Sequence, residues 1–420
     1  MLVFIVIILL IDIYAFKGIR LINKSISINW IKILIYSTFW IITFIFVIGI
    51  ILILLNESFD QGARAQRNLF FFVGLFITFY IPKILFIVFH FAEDIIKGVS
   101  FVVNLLFGRR SPLVAQTTRK ISRSKFLSHM GLILTTLPFF SIIYGMVKGR
   151  FNFRIVHENL HFPNLPEVFH GLKIVQISDI HIGGLYGHWR RVEDAIEMIN
   201  AQKPDLIFFT GDLVNDFAGE LEGWMTILGK MKARLGKYSI LGNHDYGDYH
   251  YWKSKEAKKA NLEQIKNAHK ELEFKLLLNQ SEIIRVNKKQ IAVIGVENWG
   301  NPPFAQYGDF NMAQQNVKNI PFKILLSHDP SHWDAEILGK TNVDLTFSGH
   351  THGMQFGIET GKIHWSPIKY KYPRWAGLYQ EGNQYLYVNR GLGYIGYPGR
   401  IGMPPEITVI ELFNKEKGLR

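Results

Sequence analysis

The 420-residue chain contains no cysteine. That excludes disulfides, thiolate zinc sites, iron–sulfur clusters and a thiol nucleophile together, and it leaves the redox compartment open. Charge is scarce as well: 19% of residues are charged and 48% are hydrophobic, against about 25% charged in an ordinary soluble domain. Acidic residues are thinnest at the start. Residues 1–150 hold five Asp and Glu against sixteen Lys and Arg, whereas the other 270 hold 29 against 31. Of the net charge of +13, the first segment therefore carries +11. A basic protein invites a nucleic-acid reading, but a nuclease needs a basic face where it works. The larger part of this chain is nearly neutral, so no nucleic-acid partner is expected. The apolar content excludes disorder.

Long apolar runs lie where the basic excess lies. Residues 30–55, 69–91 and 126–146 each reach the roughly 20 residues needed to cross about 30 Å of hydrocarbon. Residues 1–16 form a shorter run containing Asp12, with no basic segment before it and no small-residue cleavage site after it, which argues against a removable signal peptide. The sequence predicts about four spans in a membrane domain over 1–150 and a second domain over 151–420. Lys17, Arg20 and Lys24 follow the first run, and Arg109, Arg110, Arg119, Lys120, Arg123 and Lys125 follow the third, neither group with an acid. The positive-inside rule places both loops in the cytoplasm. The rest of the chain is then expected outside an inner membrane, although Lys148, Arg150 and Arg154 pull the other way. Residues 94–107 read as a surface-lying or re-entrant helix, being short and interrupted by Gly98. Lys83 falls within the third run, where a charge marks a functional site or, as is usual, has a partner; the expectation is a kink at Pro82 and a bundle-facing Lys83 paired with Asp12 or another acid.

After Arg154 short β-rich runs alternate with helical stretches. The runs are 172–178, 205–210, 237–241, 290–296, 322–327, 343–348, 385–389 and 406–412, and the helices 189–201, 219–233 and 253–272. This is the pattern of a layered α/β domain, in which sites form beyond the carboxyl ends of strands. Five polar motifs sit there: Asp179-Ile-His181, Gly211-Asp212, Gly242-Asn243-His244-Asp245, Ser327-His328-Asp329 and Gly349-His350-Thr351-His352-Gly353. Any one of them arises easily by chance, and a lone histidine is more often a satisfied core residue than a ligand. Five in one domain, each at a strand end, make coincidence a poor explanation. Asp179, His181, Asp212, Asn243, His328, His350 and His352 are too many ligands for one tetrahedral ion. They suit two ions about 3.5–4 Å apart, which acidify and orient a bridging water and neutralise phosphoryl charge during in-line attack. Carboxylate, amide oxygen and imidazole select Mn, Fe or Zn.

In this order the motifs D-x-H, G-D, G-N-H-D, H and G-H-x-H resemble the calcineurin-like metallophosphoesterase superfamily over about residues 170–412. GNHD, GHTHGMQ and the tail NRGLG, GYPGR and PPEITVIEL are similar to its bacterial membrane-anchored branch. The resemblance implies a four-layer αββα sandwich with a di-metal site at one edge. It implies that Asp179, His181, Asp212 and His352 hold one ion, that Asp212 bridges, and that Asn243, His328 and His350 hold the other. His244 would be no ligand but the general acid over the phosphate, or an imidazolium stabilising the transition state. Several members of the superfamily have an aspartate three residues after the bridging one to orient that histidine; here the position is Asn215.

The function implied is a membrane-integral phosphoesterase that cleaves a phosphate, phosphodiester or pyrophosphate bond by attack of the hydroxide shared between the ions. Tethering beside a span favours a lipid-linked or envelope substrate. The competing class is a silent metal-holding adaptor, which would be expected to have lost ligands or the histidine of GNHD; this chain keeps them. Arg390 and Arg400, in glycine-rich stretches, are candidates for a bidentate grip on a substrate phosphate, with a structural role equally open. Trp365, Tyr370, Tyr372, Pro373 and Trp375 read as a rim for lipid or sugar, or as a patch near the bilayer.

Overall fold

The computed structural model describes residues 2–24, 26–55, 63–107, 123–360 and 363–414. Contacts divide the chain into two compact units: 1–59 with 72–143, and 60–71 with 144–420. The basic positions Arg109, Arg110, Arg119 and Lys120, on which the expected orientation leans, lie outside the described residues.

The first unit is built from four helices: α1 (Leu2–Asn23), α2 (Asn29–Leu55), α3 (Ala63–Phe107) and α4 (Arg123–Val147). By length and composition, the segments Asn29–Ile53, Ala63–Leu106 and His129–Phe151 are sufficient to cross a membrane. Their exposed side chains include Leu34, Phe44, Ile48, Val88, Ile133 and Leu137, a surface suited to hydrocarbon and costly in water. The expected break at Gly98 is absent: α3 runs unbroken through it. Nothing within 4 Å would crowd a side chain added there, and a single exposed glycine costs a helix only about 1 kcal/mol, too little to end it.

Polar residues set the register of α1 against α3. The Lys83 ammonium lies 2.5 Å from Asp12 Oδ1, and Tyr80 donates to Asp12 Oδ2 at 2.7 Å. Toward the other end, Tyr14 and Lys17 both reach Asp94 Oδ2 at 2.7 Å. Lys83 therefore has the partner its sequence position required. Asp12 is fully buried, so Asp12→Ala is expected to destabilise this unit by about 3–5 kcal/mol, the usual cost of orphaning a buried charge. Pairing it with Lys83→Met should recover most of the loss in a thermal melt of the detergent-solubilised chain. An equally low melting temperature in the double variant would contradict the pairing.

The second unit is a sandwich of two six-stranded sheets. Its strands are β1 (Arg154–His161), β2 (Leu172–Ile177), β3 (Leu206–Phe209), β4 (Gly236–Ser239), β5 (Phe274–Leu276), β6 (Gln280–Val286), β7 (Lys289–Gly295), β8 (Lys323–Leu326), β9 (Leu345–Ser348), β10 (Ile358–Thr360), β11 (Ile363–Trp365), β12 (Gly377–Glu381), β13 (Gln384–Val388) and β14 (Glu406–Phe413). One sheet has the order β1-β14-β2-β3-β4-β5, the other β12-β13-β9-β8-β7-β6, and β10 and β11 pair separately. Around the site the strands run parallel: β2 with β3 and β4, and β7 with β8 and β9.

Strand periodicity assigns each face to a layer. In β3, Leu206 and Phe208 enter the core between the sheets, while Ile207 and Phe209 face the helices Trp189–Ala201 and Lys255–Glu271. In β8, Ile324 and Leu326 meet the inter-sheet core, and Leu325 turns to the outer layer with Val317, Trp333 and Ile337. Three apolar clusters separate four layers, as the resemblance implied. Gln176 ties the two sheets at the site end, donating to Thr210 Oγ1 at 3.0 Å and to the Ser348 carbonyl at 2.8 Å.

One expected helix does not form. Residues 219–233 give only a 3-10 turn, Ala218–Leu221, and one α turn, Met225–Leu228. Gly223 adopts φ +80° between them, and Trp224 is buried against Trp189 with ring centroids 4.1 Å apart. Burial of that indole overrides the local helical pattern.

Candidate metal centre

The seven candidate ligands converge at the carboxyl ends of β2, β3, β4, β8 and β9, each in the loop immediately after its strand. Five of the seven candidate ligands, in three of the five loops, turn through the left-handed region. Asp179, His181, Asp212, His350 and His352 have φ of 51°, 45°, 59°, 69° and 51°, values that only a few per cent of non-glycine residues adopt. Strained backbone of this kind persists where the surroundings dictate it and concentrates at functional sites. Here it swings each side chain back over the sheet edge. Close approach of neighbouring loops requires glycine: a Cβ on Gly349 would fall 2.3 Å from Asp179 Oδ2, and one on Gly393 would fall 1.8 Å from the Ile180 carbonyl oxygen.

Two groups of side chains result. Ligand atoms of Asp179, His181 and His352 lie within 4.8 Å of one another, and so do those of Asp212, His328 and His350. Asp212 joins them, with Oδ2 at 3.5 Å from His181 Nε2 and 3.2 Å from His328 Nε2. Asn243 Oδ1 lies 3.1 Å from His328 Nε2 and 2.8 Å from His350 Nδ1; its amide donates to Tyr249 at 2.8 Å, which fixes the oxygen toward the imidazoles. His181 Nε2 and His352 Nε2 face each other at 3.1 Å. Both nitrogens point into the space between the two rings, where they could serve one ion as donors. Carboxylate, amide and imidazole donors in that arrangement fit two borderline divalent ions.

Electrostatics agree. Burial would raise both carboxyls, yet the His352 imidazole holds Asp179 at about 2, and His328 and His244 hold Asp212 well below the usual range. Burial lowers His181 well below its ordinary value and His350 to about 4, so both are neutral donors. His328 goes the other way: burial lowers it, but Asp212 and Asp179 outweigh burial and push it up to about 10. A proton on His328 and a metal ion are alternatives in one acceptor-lined space, so metal uptake releases protons.

His244 stands beside this set. Its backbone N–H donates to Asp212 Oδ1 at 2.9 Å, its Nδ1 lies 2.8 Å from the Asn215 carbonyl oxygen, and its ring centre is 5.0 Å from that of His181. Asn215 thus holds the imidazole through its backbone. Its side-chain amide is turned away to Glu220 at 2.7 Å.

Two buried carboxylates that sequence reasoning gave no role hold the loops in place. Asp245 accepts the backbone N–H groups of Asp212, Leu213, Val214 and Gly242 at 2.8–3.2 Å. Glu220 accepts those of Gly183, Asn215, Asp216 and Phe217 at 2.9–3.2 Å. Asp245 closes the GNHD motif, and that position was its only signal; nothing local marks Glu220.

Arg390 and Arg400 lie beside the site, where their contacts favour the structural of the two roles left open for them. Arg390 is buried and pairs with Glu406 and, at 2.6 Å, with Glu359. Arg400 is 1% exposed. It donates to the carbonyls of Gly393 at 2.6 Å, Arg390 at 2.8 Å, Gly391 at 3.1 Å, Met403 at 3.3 Å and His352 at 3.4 Å. Arg400→Met is therefore expected to lower stability by about 1–3 kcal/mol for each carbonyl left without a donor, with KM unchanged for the folded fraction. A melt and a substrate titration check this; a raised KM at unchanged melting temperature would restore the phosphate role.

Oxygen and imidazole donors at one edge of a four-layer sandwich define a metallophosphoesterase, a hydrolase of phosphoric esters. Two family profiles match the chain. One, described as "Probable Calcineurin-like phosphoesterase, transmembrane domain", covers residues 1–150; the other, "Calcineurin-like phosphoesterase", covers 172–354. Among its relatives is "Uncharacterized metallophosphoesterase YkuE" of Bacillus subtilis, 36% identical over 59% of this chain and 81% of that protein. "Transmembrane protein with metallophosphoesterase domain" of Danio rerio is 28% identical over 67% of this chain and 62% of that protein. "Phosphodiesterase YaeI" of Escherichia coli is 27% identical over 70% of this chain and 99% of that protein. The chain belongs to the calcineurin-like metallophosphoesterase family and carries that family's transmembrane domain, which makes it a membrane protein.

Proposed function

We propose that this protein is a membrane-integral, two-metal phosphoesterase in which residues 1–150 anchor a catalytic domain of residues 151–420 beside a lipid-linked or envelope phosphate ester. The observation that carries the reading is Asp212 Oδ2, shared at 3.5 and 3.2 Å between imidazoles of two ligand groups. Asp179, His181 and His352 would hold one ion (Mn, Fe or Zn), Asn243, His328 and His350 would hold the other, and Asp212, which faces both groups, would serve the pair. When bound, the ions supply an acidified water and neutralise charge on the phosphoryl oxygens. The remaining work belongs to the chain. Asp245 and Glu220 keep the ligand loops from relaxing, and the Asn215 carbonyl orients His244 so that its Nε2–H is given to the departing oxygen. The complete ligand set argues against a silent adaptor, and the relative named a phosphodiesterase supports a diester as the first substrate to try.

The test is hydrolysis of bis(4-nitrophenyl) phosphate and 4-nitrophenyl phosphate by the purified full chain loaded in turn with Mn, Fe, Zn and Mg. Turnover that chelation abolishes and re-addition restores is expected; no turnover with any of the four overturns the reading. The basic loops support an extracytoplasmic catalytic domain of an inner-membrane protein. A reporter fused after Arg420 that works only when exported should be active, and activity of a cytoplasm-only reporter there would reverse the orientation.

A further inference from the structure

The hairpin of β10 and β11 belongs to neither six-stranded sheet. In the span 354–370, Met354, Phe356, Ile358, Ile363 and Tyr370 are 43–79% exposed. Ile358 pairs across the hairpin with Trp365, and the Phe356 and Trp365 rings lie 6.4 Å apart. Apolar side chains this exposed and this close together mark an interaction surface. Beside them, the Lys369 ammonium sits 5.3 Å from the Tyr370 ring centre. Aromatic rings next to lysines suit the headgroup layer of a bilayer, where the ring is half-buried and the ammonium meets lipid phosphate.

Backbone continuity identifies what covers this surface. The apolar segment His129–Phe151 enters the catalytic unit at Tyr144, and there Arg400 N–H donates to the Gly145 carbonyl at 3.2 Å. The next residue, Ile401, donates to the Gln355 carbonyl at 2.8 Å and accepts from Gly357 N–H at 2.9 Å. The end of a membrane helix is thus hydrogen-bonded to one side of residues 400–401, and the base of the hairpin to the other. Arg400 also donates to the His352 carbonyl and lies 3.3 Å from His352 Nδ1. Within the second unit, the chain at Gly145, the base of the exposed hairpin and the candidate ligand His352 are thus joined through residues 400–401.

We propose that Met354, Phe356, Ile358, Ile363 and Tyr370 form a lipid-inserting foot that dips into the headgroup–acyl boundary of the bilayer and seats the His352 loop at headgroup level. The substrate class follows: a phosphate ester whose phosphorus lies in the headgroup layer of the same leaflet. That part rests on the phosphoesterase reading above; the insertion does not.

The absence of cysteine makes the test clean. Ile363→Cys, carrying the one thiol in the full chain, is labelled with bimane and reconstituted into phosphatidylethanolamine–phosphatidylglycerol vesicles containing a doxyl-labelled lipid. Ile133→Cys, on an exposed apolar position of α4, and Lys288→Cys, in the turn between β6 and β7, are the references. Quenching at 363 near that at 133 is expected; quenching no greater than at 288 overturns the foot. Disulfide formation between two copies through position 363, with quenching that vanishes on dilution into excess lipid, would instead make the surface a protein interface and also overturn it. The Ile358→Ser, Ile363→Ser double variant is expected to hydrolyse soluble bis(4-nitrophenyl) phosphate within twofold of the parent, yet to lose tenfold or more on an aryl phosphodiester of a diacylglycerol embedded in the vesicles. Equal rates on the embedded ester overturn the substrate class. If the parent hydrolyses neither ester, the phosphoesterase reading fails while the quenching still decides the foot.

Discussion

Asp212→Asn is expected to reduce hydrolysis by about a thousandfold or more, and to reduce the metal content of the purified chain from two ions to one, with the fold retained. The substitution is close to isosteric, and Asp212 uses its two oxygens differently. Oδ1 accepts the His244 N–H at 2.9 Å, a bond an asparagine oxygen also makes. Oδ2 faces His181 Nε2 and His328 Nε2, and an asparagine puts a neutral NH2 group there in place of an anionic oxygen. The variant therefore keeps the size of the side chain and loses the anionic oxygen that faces both ligand groups. Several kcal/mol of transition-state charge stabilisation depend on the pair of ions, and each 1.36 kcal/mol is tenfold in rate. Elemental analysis, a thermal melt and a rate assay on one preparation separate the outcomes. A variant with both ions and normal activity would remove Asp212 from the bridging position. One that fails to fold would show that the carboxylate charge stabilises the loop itself.

Sequence and structure agree where a residue's chemistry and its immediate context carry the information. The eight β-rich runs are all strands, because strands buried on both faces read as continuous apolar segments. The convergence of the candidate ligands was legible because each polar residue follows such a run at its carboxyl end. Lys83 and Asp12 were legible because a charge among apolar residues needs a partner. What escaped are arrangements settled by distant chain. Glu220 takes its N–H groups from Gly183 and from 215–217, and no periodicity announces that. Arg400 is a charged residue in a glycine-rich stretch, which serves equally for gripping a phosphate or for filling a loop. The carbonyls converging on it from 352, 390, 391, 393 and 403 favour the second. Trp224 broke an expected helix by burying itself against Trp189, a tertiary gain invisible in the local pattern. The edge strands β1, β5, β6 and β12 were missed because an edge position leaves much of each strand exposed and polar.

His244→Ala is expected to keep both ions and to lose activity in proportion to how badly the leaving group needs a proton. Nδ1 lies 2.8 Å from the Asn215 carbonyl oxygen, so that nitrogen carries hydrogen and is no metal ligand. The other nitrogen, Nε2, is left to serve the departing oxygen. General acid catalysis contributes about 10²–10⁴-fold, and its share grows as the leaving oxygen becomes more basic. An alkyl phosphodiester should therefore lose that whole range in the variant, whereas a 4-nitrophenyl ester, which departs readily as the anion, should lose far less. Added imidazole should restore part of the alkyl-ester rate by supplying the missing acid. Equal losses on both esters would mean that His244 acts on the phosphoryl group as a fixed charge and not on the leaving group. A fall in metal content would make it a ligand and overturn the assignment. Asn215→Asp provides the complementary measurement. The backbone carbonyl that orients His244 survives this substitution, so the leaving-group dependence should be retained. What changes is the side-chain contact with Glu220: two carboxylates then face each other in the loop clamp, and the variant is expected to melt earlier while keeping the leaving-group dependence of the parent.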